Sequence, residues 1–236
     1  MNVFVFGEGM SLYLQGFDFG REALKWIAIF TMTVDHIGAV LYPELEFLRW
    51  IGRLSFPLFA YLLILGMENT RNVRNYFTRL FVFAFISQVP FYLAVGIEPF
   101  ESLNIFFTLS FGLLFVYFFK KNSLLAFVPI LFSFVLSFDY SIYGIAVIGC
   151  MYILLGNLKL GAVLLVLLNA LFLVPWNSQF LSMLALPLII LHRNGSVVTT
   201  RDTDKKFKIP LWRKYFFYVY YPLHLALLYI IKLYFF

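Results

Sequence analysis

Cysteine and charge are both scarce in this chain. A single cysteine, Cys150, excludes an intrachain disulfide framework and any multi-cysteine metal site, and no metal is expected. Charged residues are only 13% of 236, and the net charge of +6 comes mostly from loop arginine and lysine. In an apolar chain such a balance reports orientation in a membrane rather than nucleic-acid binding. The first twenty residues have no basic n-region, contain Glu8 and Asp18 and lack a small-residue cleavage site. No removable signal peptide is expected there, and the first apolar run is read as its own insertion signal. A glycine-rich phosphate loop, an internal repeat and a clear GxxxG are also missing. What remains is apolar: 62% of the residues are hydrophobic, 21% are aromatic and 31 are phenylalanine. That is the composition of a polytopic integral membrane protein.

Apolar runs of helix-spanning or near-spanning length fall at 25–42, 50–67, 80–95, 103–119, 123–138, 141–155, 160–174, 179–191 and 215–232. The fifth to eighth are short enough to be re-entrant. Backbone groups in hydrocarbon must be satisfied internally, so the expected fold is an all-α bundle of about nine transmembrane helices, one domain over 1–236. The loop from Glu68 to Arg79 carries Arg71, Arg74 and Arg79 against Glu68 and is expected to be cytoplasmic. Alternation then places Lys120-Lys121, Lys159 and the basic stretch 192–214 on the same side, where His192 is read as solvated. Residues 43–46, 98–101 and 138–139 fall outside.

Asp35 and His36 sit inside the first run, and His224 lies inside the last. An aspartate at the centre of a membrane helix costs about 2.5–3.5 kcal/mol, so such residues are functional candidates by default. From the cytoplasmic ends of their runs, both groups lie about ten residues in, roughly 15 Å at 1.5 Å per residue. They are expected to meet near the midplane. Arg53 points into the outer half of the same bundle, and Asn104 stands at the outer start of the fourth run. Adjacent residues on a helix point about 100° apart, so Asp35 and His36 face different neighbours. Asp35 is read as pairing with Arg53; a structural salt bridge accounts for those two residues as well as catalysis does. For His224 the plainer alternative is a kinked Tyr-Tyr-Pro-Leu-His helix whose imidazole bonds a freed carbonyl.

The arginine loop is a topogenic signal on the plainest reading. Its asparagines add something. Arg71, Arg74 and Asn75 stand at i, i+3 and i+4, the spacing of one helical face, where guanidinium forks and amides hold phosphates.

Ordered motifs then run along nearly the whole chain: Leu24-Lys25-Trp26-Ile27-Ala28, Asp35-His36-Ile37-Gly38, and Gly52-Arg53-Leu54-Ser55-Phe56-Pro57-Leu58-Phe59-Ala60. Thr70-Arg71-Asn72 with Arg79-Leu80, Ile86-Ser87-Gln88-Val89-Pro90-Phe91, Asn104-Ile105-Phe106-Phe107-Thr108-Leu109, Tyr143-Gly144 and Pro222-Leu223-His224 follow. Together they resemble the TraX family of conjugation proteins. The resemblance implies a bacterial inner-membrane acetyltransferase similar in plan to transmembrane acyltransferases, with acetyl-CoA as donor and a peptide, pilin or glycan as acceptor. It assigns the base to His36 or His224, with Asp35 orienting or balancing a cation. Arg53 pairs with Asp35 or stabilises an oxyanion, Asn104 and Tyr143 line the acceptor side, and Arg71, Arg74, Asn75 and Arg79 bind the donor's phosphates. The rival of another class is a small proton-coupled transporter or channel in which Asp35, His36 and Arg53 relay protons. The middle runs, 123–191, carry few polar residues to assign to either.

Overall fold

The computed structural model describes residues 19–99, 101–173, 177–199 and 211–235. Its helices are α1 (Phe19–Val40), α2 (Glu46–Gly52), α3 (Ser55–Asn69), α4 (Val73–Val95), α5 (Ile105–Lys120), α6 (Phe127–Val135), α7 (Ser141–Gly156), α8 (Leu158–Ala170), α9 (Ala185–Thr199) and α10 (Leu211–Phe235). Short 3-10 turns, Leu124–Ala126 and Ser178–Leu184, lead into α6 and α9. Among the described residues there is no strand, only an isolated bridge between Leu103 and Phe138.

The fold is all-helical, as expected, but the span count differs. Among the described residues, four helical stretches are long and apolar enough to cross a membrane: Gly20–Val40, Glu46–Asn69, Val73–Val95 and Tyr215–Phe235. Ile105–Lys120, Leu124–Val135, Ser141–Gly156 and Leu158–Ala170 are apolar but shorter. A 16-residue helix is about 24 Å long, less than the roughly 30 Å of bilayer hydrocarbon, so length does not establish these as full spans. The second stretch is also not one straight rod, because it breaks between α2 and α3 at Arg53 and Leu54.

Local chemistry sets the ends. Asn72, Asn104 and Asn157 cap α4, α5 and α8 by accepting a backbone N–H two or three residues on. Gly96 ends α4 at φ +79°, the left-handed conformation that glycine adopts without strain. The packing pairs α1 with α2 and α3, α4 with α10, and α7 with α5 and α8. Phe56, Leu58, Tyr61, Ile64, Leu113 and Ile148 fill the centre. On α10, Tyr221, His224, Leu225 and Leu228 turn inward while Leu223, Leu227 and Ile230 stand exposed on the opposite stripe. In a bilayer that outer stripe meets lipid tails, which is why both faces of the helix are apolar in sequence.

Polar contacts tie helix ends together. Glu68 at the end of α3 bonds Lys120 at the end of α5, and Arg193 of α9 donates to the Leu155 carbonyl at the end of α7. At the opposite end, Leu103 joins the backbone of 137–139.

Candidate functional site: a histidine pair beside a charge cluster

Thr33 and His36 lie one helical turn apart on the face of α1 that meets α10. Each bonds a partner there: Thr33 Oγ1 and the Tyr220 hydroxyl are 2.8 Å apart, and His36 Nδ1 lies 2.8 Å from His224 Nε2. The two histidines therefore meet, as the sequence reading expects. On α1 the contact is displaced from the expected middle, because that helix begins at Phe19 and places His36 toward its C-terminal end.

The protonation pattern follows from the partners. His224 Nδ1 lies 3.0 Å from the Tyr220 carbonyl, which can only accept, so that nitrogen carries the proton. In the neutral ring Nε2 is then an acceptor, and His36 Nδ1–H donates to it. What is left is His36 Nε2 with its lone pair, which makes no hydrogen bond among the described residues, on a side chain only half-buried. The carbonyl used is Tyr220's rather than that of Tyr218, which Pro222 leaves without its helical donor.

Asp35 points away from this pair, as adjacent helix positions must. Its carboxylate faces α2, where Arg49 Nη1 donates to Oδ2 at 2.6 Å and to the Asp35 carbonyl at 3.1 Å. The expected Asp35–Arg53 pairing is thus corrected. Arg53, at the break between α2 and α3, instead donates from Nε to Ser178 Oγ at 3.2 Å. Arg49 was missed although a signal existed: Glu46, Arg49 and Arg53 follow the 3-then-4 spacing of one helical face. Gly52 makes the approach possible, since a Cβ there would lie 2.0 Å from Asp35 Oδ1. That Oδ1 is buried and makes no hydrogen bond.

The turn between α6 and α7 completes the cluster. Tyr140 and Ser141 hold φ of +65° and +41°, a conformation unfavourable for side chains with a Cβ. Thr108 donating to the Asp139 carbonyl, the Leu103 backbone and a Phe56–Tyr140 ring stack at 4.3 Å hold it in place. Burial pushes the Asp139 carboxyl up to about 6; the Asp35 charge adds to the rise, and Arg49 and Arg53 oppose it.

Two other buried polar groups are fully bonded. Tyr143 donates to Asn169 Oδ1 at 3.0 Å, lies 2.9 Å from Ser182 Oγ and accepts from Gln179 Nε2 at 3.1 Å. Asn169, Gln179 and Ser182 are polar residues of the middle runs that sequence reading left unassigned, whereas Tyr143, expected on the acceptor side, has its hydroxyl engaged by all three. Asn104 is also closed: its amide donates to the Ala84 carbonyl and to Gln88, and its Oδ1 caps Phe106. Completely buried, it does not stand at an open mouth. His192 is not a solvated loop residue either; it is buried and its Nδ1 lies 3.0 Å from the Tyr61 hydroxyl.

At the start of α4, the helix begins only at Val73 and Asn72 is its cap, so Arg71 lies outside it. Arg71, Arg74 and Asn75 therefore do not form one helical face, although all three are exposed at the same end. Arg79 is drawn inward, over the Tyr76 ring at 5.5 Å and onto Tyr218.

An all-helical membrane protein with a histidine pair, one ring buried and one half-buried, beside a carboxylate and guanidinium cluster is the class that fold and site define. The family model described as "TraX protein" matches residues 20–232, and the chain belongs to that family. It is 30% identical over 102 residues to an uncharacterized protein of Rickettsia prowazekii, covering 43% of this chain and 38% of that one. It is 35% identical over 100 residues to a probable fimbrial assembly protein FimC of Dichelobacter nodosus, covering 40% and 41%. It is also 32% identical over 91 residues to Protein TraX of Escherichia coli, covering 38% and 36%. The matched stretches span about two fifths of these curated relatives' length. No solved structure matches.

Proposed function

We propose that this protein is a transmembrane acetyltransferase of the bacterial inner membrane, moving an acetyl group from cytoplasmic acetyl-CoA to an amine or hydroxyl acceptor. The observation that carries the reading is the unpartnered Nε2 of His36, whose other nitrogen is fixed by His224 and the Tyr220 carbonyl. A positioned imidazole with a defined free lone pair is what a general base requires. His36 Nε2 removes the acceptor's proton as its nitrogen or oxygen bonds the thioester carbonyl carbon; the C–S bond then breaks, and the CoA thiolate leaves with that proton. His224 holds the charged His36 ring through the hydrogen bond they share. Asp35 and Arg49 fix the α1–α2 contact beside the base, and Arg53 lies at the outer side, where an acceptor would approach. Arg71, Arg74 and Asn75, exposed around the start of α4, suit the donor's phosphates on the cytoplasmic side, and Arg79, turned inward onto Tyr76 and Tyr218, adds positive charge behind them. Family membership and relatives named for fimbrial assembly and TraX favour a pilin or other peptide acceptor, with a glycan as the alternative.

The test is acetyl-CoA binding and thiol release by purified protein in nanodiscs. Wild type is expected to bind and release thiol, and His36→Ala to bind while losing about 10²–10⁴-fold in turnover. Undiminished turnover in His36→Ala removes the base assignment. Absence of acetyl-CoA binding by wild type removes the reading altogether.

A further inference from the structure

One buried hydroxyl beside the histidine pair has no part in the base assignment. Tyr221 is 2% exposed, and its hydroxyl proton has no acceptor among the described residues. Its ring is held by packing on three sides, with Phe106 at 5.0 Å edge-on, His224 at 5.6 Å and His36 at 5.9 Å between centroids. The phenol oxygen faces the backbone N–H of Ile105 and the region shared by Asp139, Tyr140 and Asp35. Ile105 opens α5, and the Asn104 cap spends its Oδ1 on the next N–H, that of Phe106. The Ile105 N–H is therefore one of the donors that a helix start leaves without an intrahelical partner. Because it is itself a donor, it gives the Tyr221 proton nowhere to go.

A buried hydroxyl without an acceptor costs about 1–3 kcal/mol, which a phenylalanine of the same shape would avoid. The hydroxyl is thus unfavourable for folding alone, while its position beside the base suits chemistry. We propose that Tyr221 is a catalytic residue, its O–H donating to the carbonyl oxygen of the thioester as negative charge develops there. The inference rests on the acetyltransferase reading. When the acceptor attacks, the carbonyl π pair moves onto oxygen and Tyr221 hydrogen-bonds it; when the pair returns, the C–S bond breaks and the thiolate takes the proton held by His36. The Ile105 N–H at the positive end of α5 polarises the phenol and makes it a stronger donor.

The experiment compares the full chain with Tyr221→Phe in nanodiscs, using acetyl-CoA with glycinamide and, separately, glycerol as small amine and hydroxyl probes. Protein-dependent thiol release and the thermal midpoint are both recorded. The expected result is a kcat lowered about 10²–10³-fold, the loss typical of one oxyanion donor, with KM for acetyl-CoA unchanged and a midpoint equal to or above wild type. A fall of less than about tenfold, or one accompanied by a lower midpoint, overturns the proposal. If wild type itself releases no thiol with either probe, the acetyltransferase reading fails, and this inference fails with it.

Discussion

The histidine pair and the Tyr143 cluster are both largely buried polar groups in an apolar bundle, yet they differ in what they leave open. Around Tyr143, the side chains of Asn169, Ser182 and Gln179 are engaged with one another, and the Asn169 amide also donates to the Leu165 carbonyl. Around His36, by contrast, His36 Nε2 and Asp35 Oδ1 lack hydrogen-bond partners and the Tyr221 hydroxyl proton lacks an acceptor among the described residues. A saturated network holds helices together, whereas an unsaturated one bears a folding cost and has groups to offer a ligand. Polarity inside the bundle is therefore a poor guide to function; unsatisfied polarity is a better one.

Three substitutions sharpen the contrast. Gly52→Ala drives a methyl into Asp35, and is expected to lower stability by about 3 kcal/mol and turnover with it, because the Asp35–Arg49 contact cannot form unchanged. A thermal midpoint equal to wild type would mean that α2 is free to shift away. Asn169→Ala removes the centre of the saturated network and leaves Tyr143 and Ser182 short of an acceptor. The expected loss is about 2 kcal/mol in stability with acetyl-CoA binding preserved, which a binding titration beside a melting curve would check. Loss of binding without loss of stability would place that cluster among the functional groups.

The smallest effect is a pH dependence at Asp139. Its folded value of about 6 lies above the ordinary 3.8, so the folded protein keeps this proton longer than the unfolded chain does. By linkage, the stability contributed by the protonated form is complete below about pH 4, declines as pH rises through 6, and is absent above. Asp139→Asn is accordingly expected to stabilise by about 1 kcal/mol at pH 7.5, a gain that fades on acidification below pH 6. A gain that is constant with pH would assign it to packing of the turn.

Much of the site was legible because burying an ionisable group in a membrane is costly. Asp35, His36 and His224 stand out in apolar runs, and their arrangement on different faces follows from helix geometry. Their partners were less legible. Arg49 and Arg53 are equally plausible mates for Asp35 by distance along the chain. The break at Arg53 and Leu54, together with the space left by Gly52, selects Arg49. Asn104 looked like a mouth residue because it opens an apolar run, but a helix start turned into the core needs its cap satisfied internally. His192 misled for the opposite reason: a basic neighbourhood in sequence concealed a helix that carries its imidazole back to Tyr61.

By itself, the sequence determined that this is a helical membrane protein of the TraX family with ionisable groups inside the bundle, because hydrophobic composition and ordered motifs are properties of the chain read in one dimension. Which helices are long enough to cross, which guanidinium meets Asp35, which histidine nitrogen is left with a free lone pair and which buried hydroxyl is left without an acceptor were decided only by tertiary structure. Those outcomes depend on distances between helices far apart in sequence, and on atoms that become partners, or fail to, only once the bundle has packed.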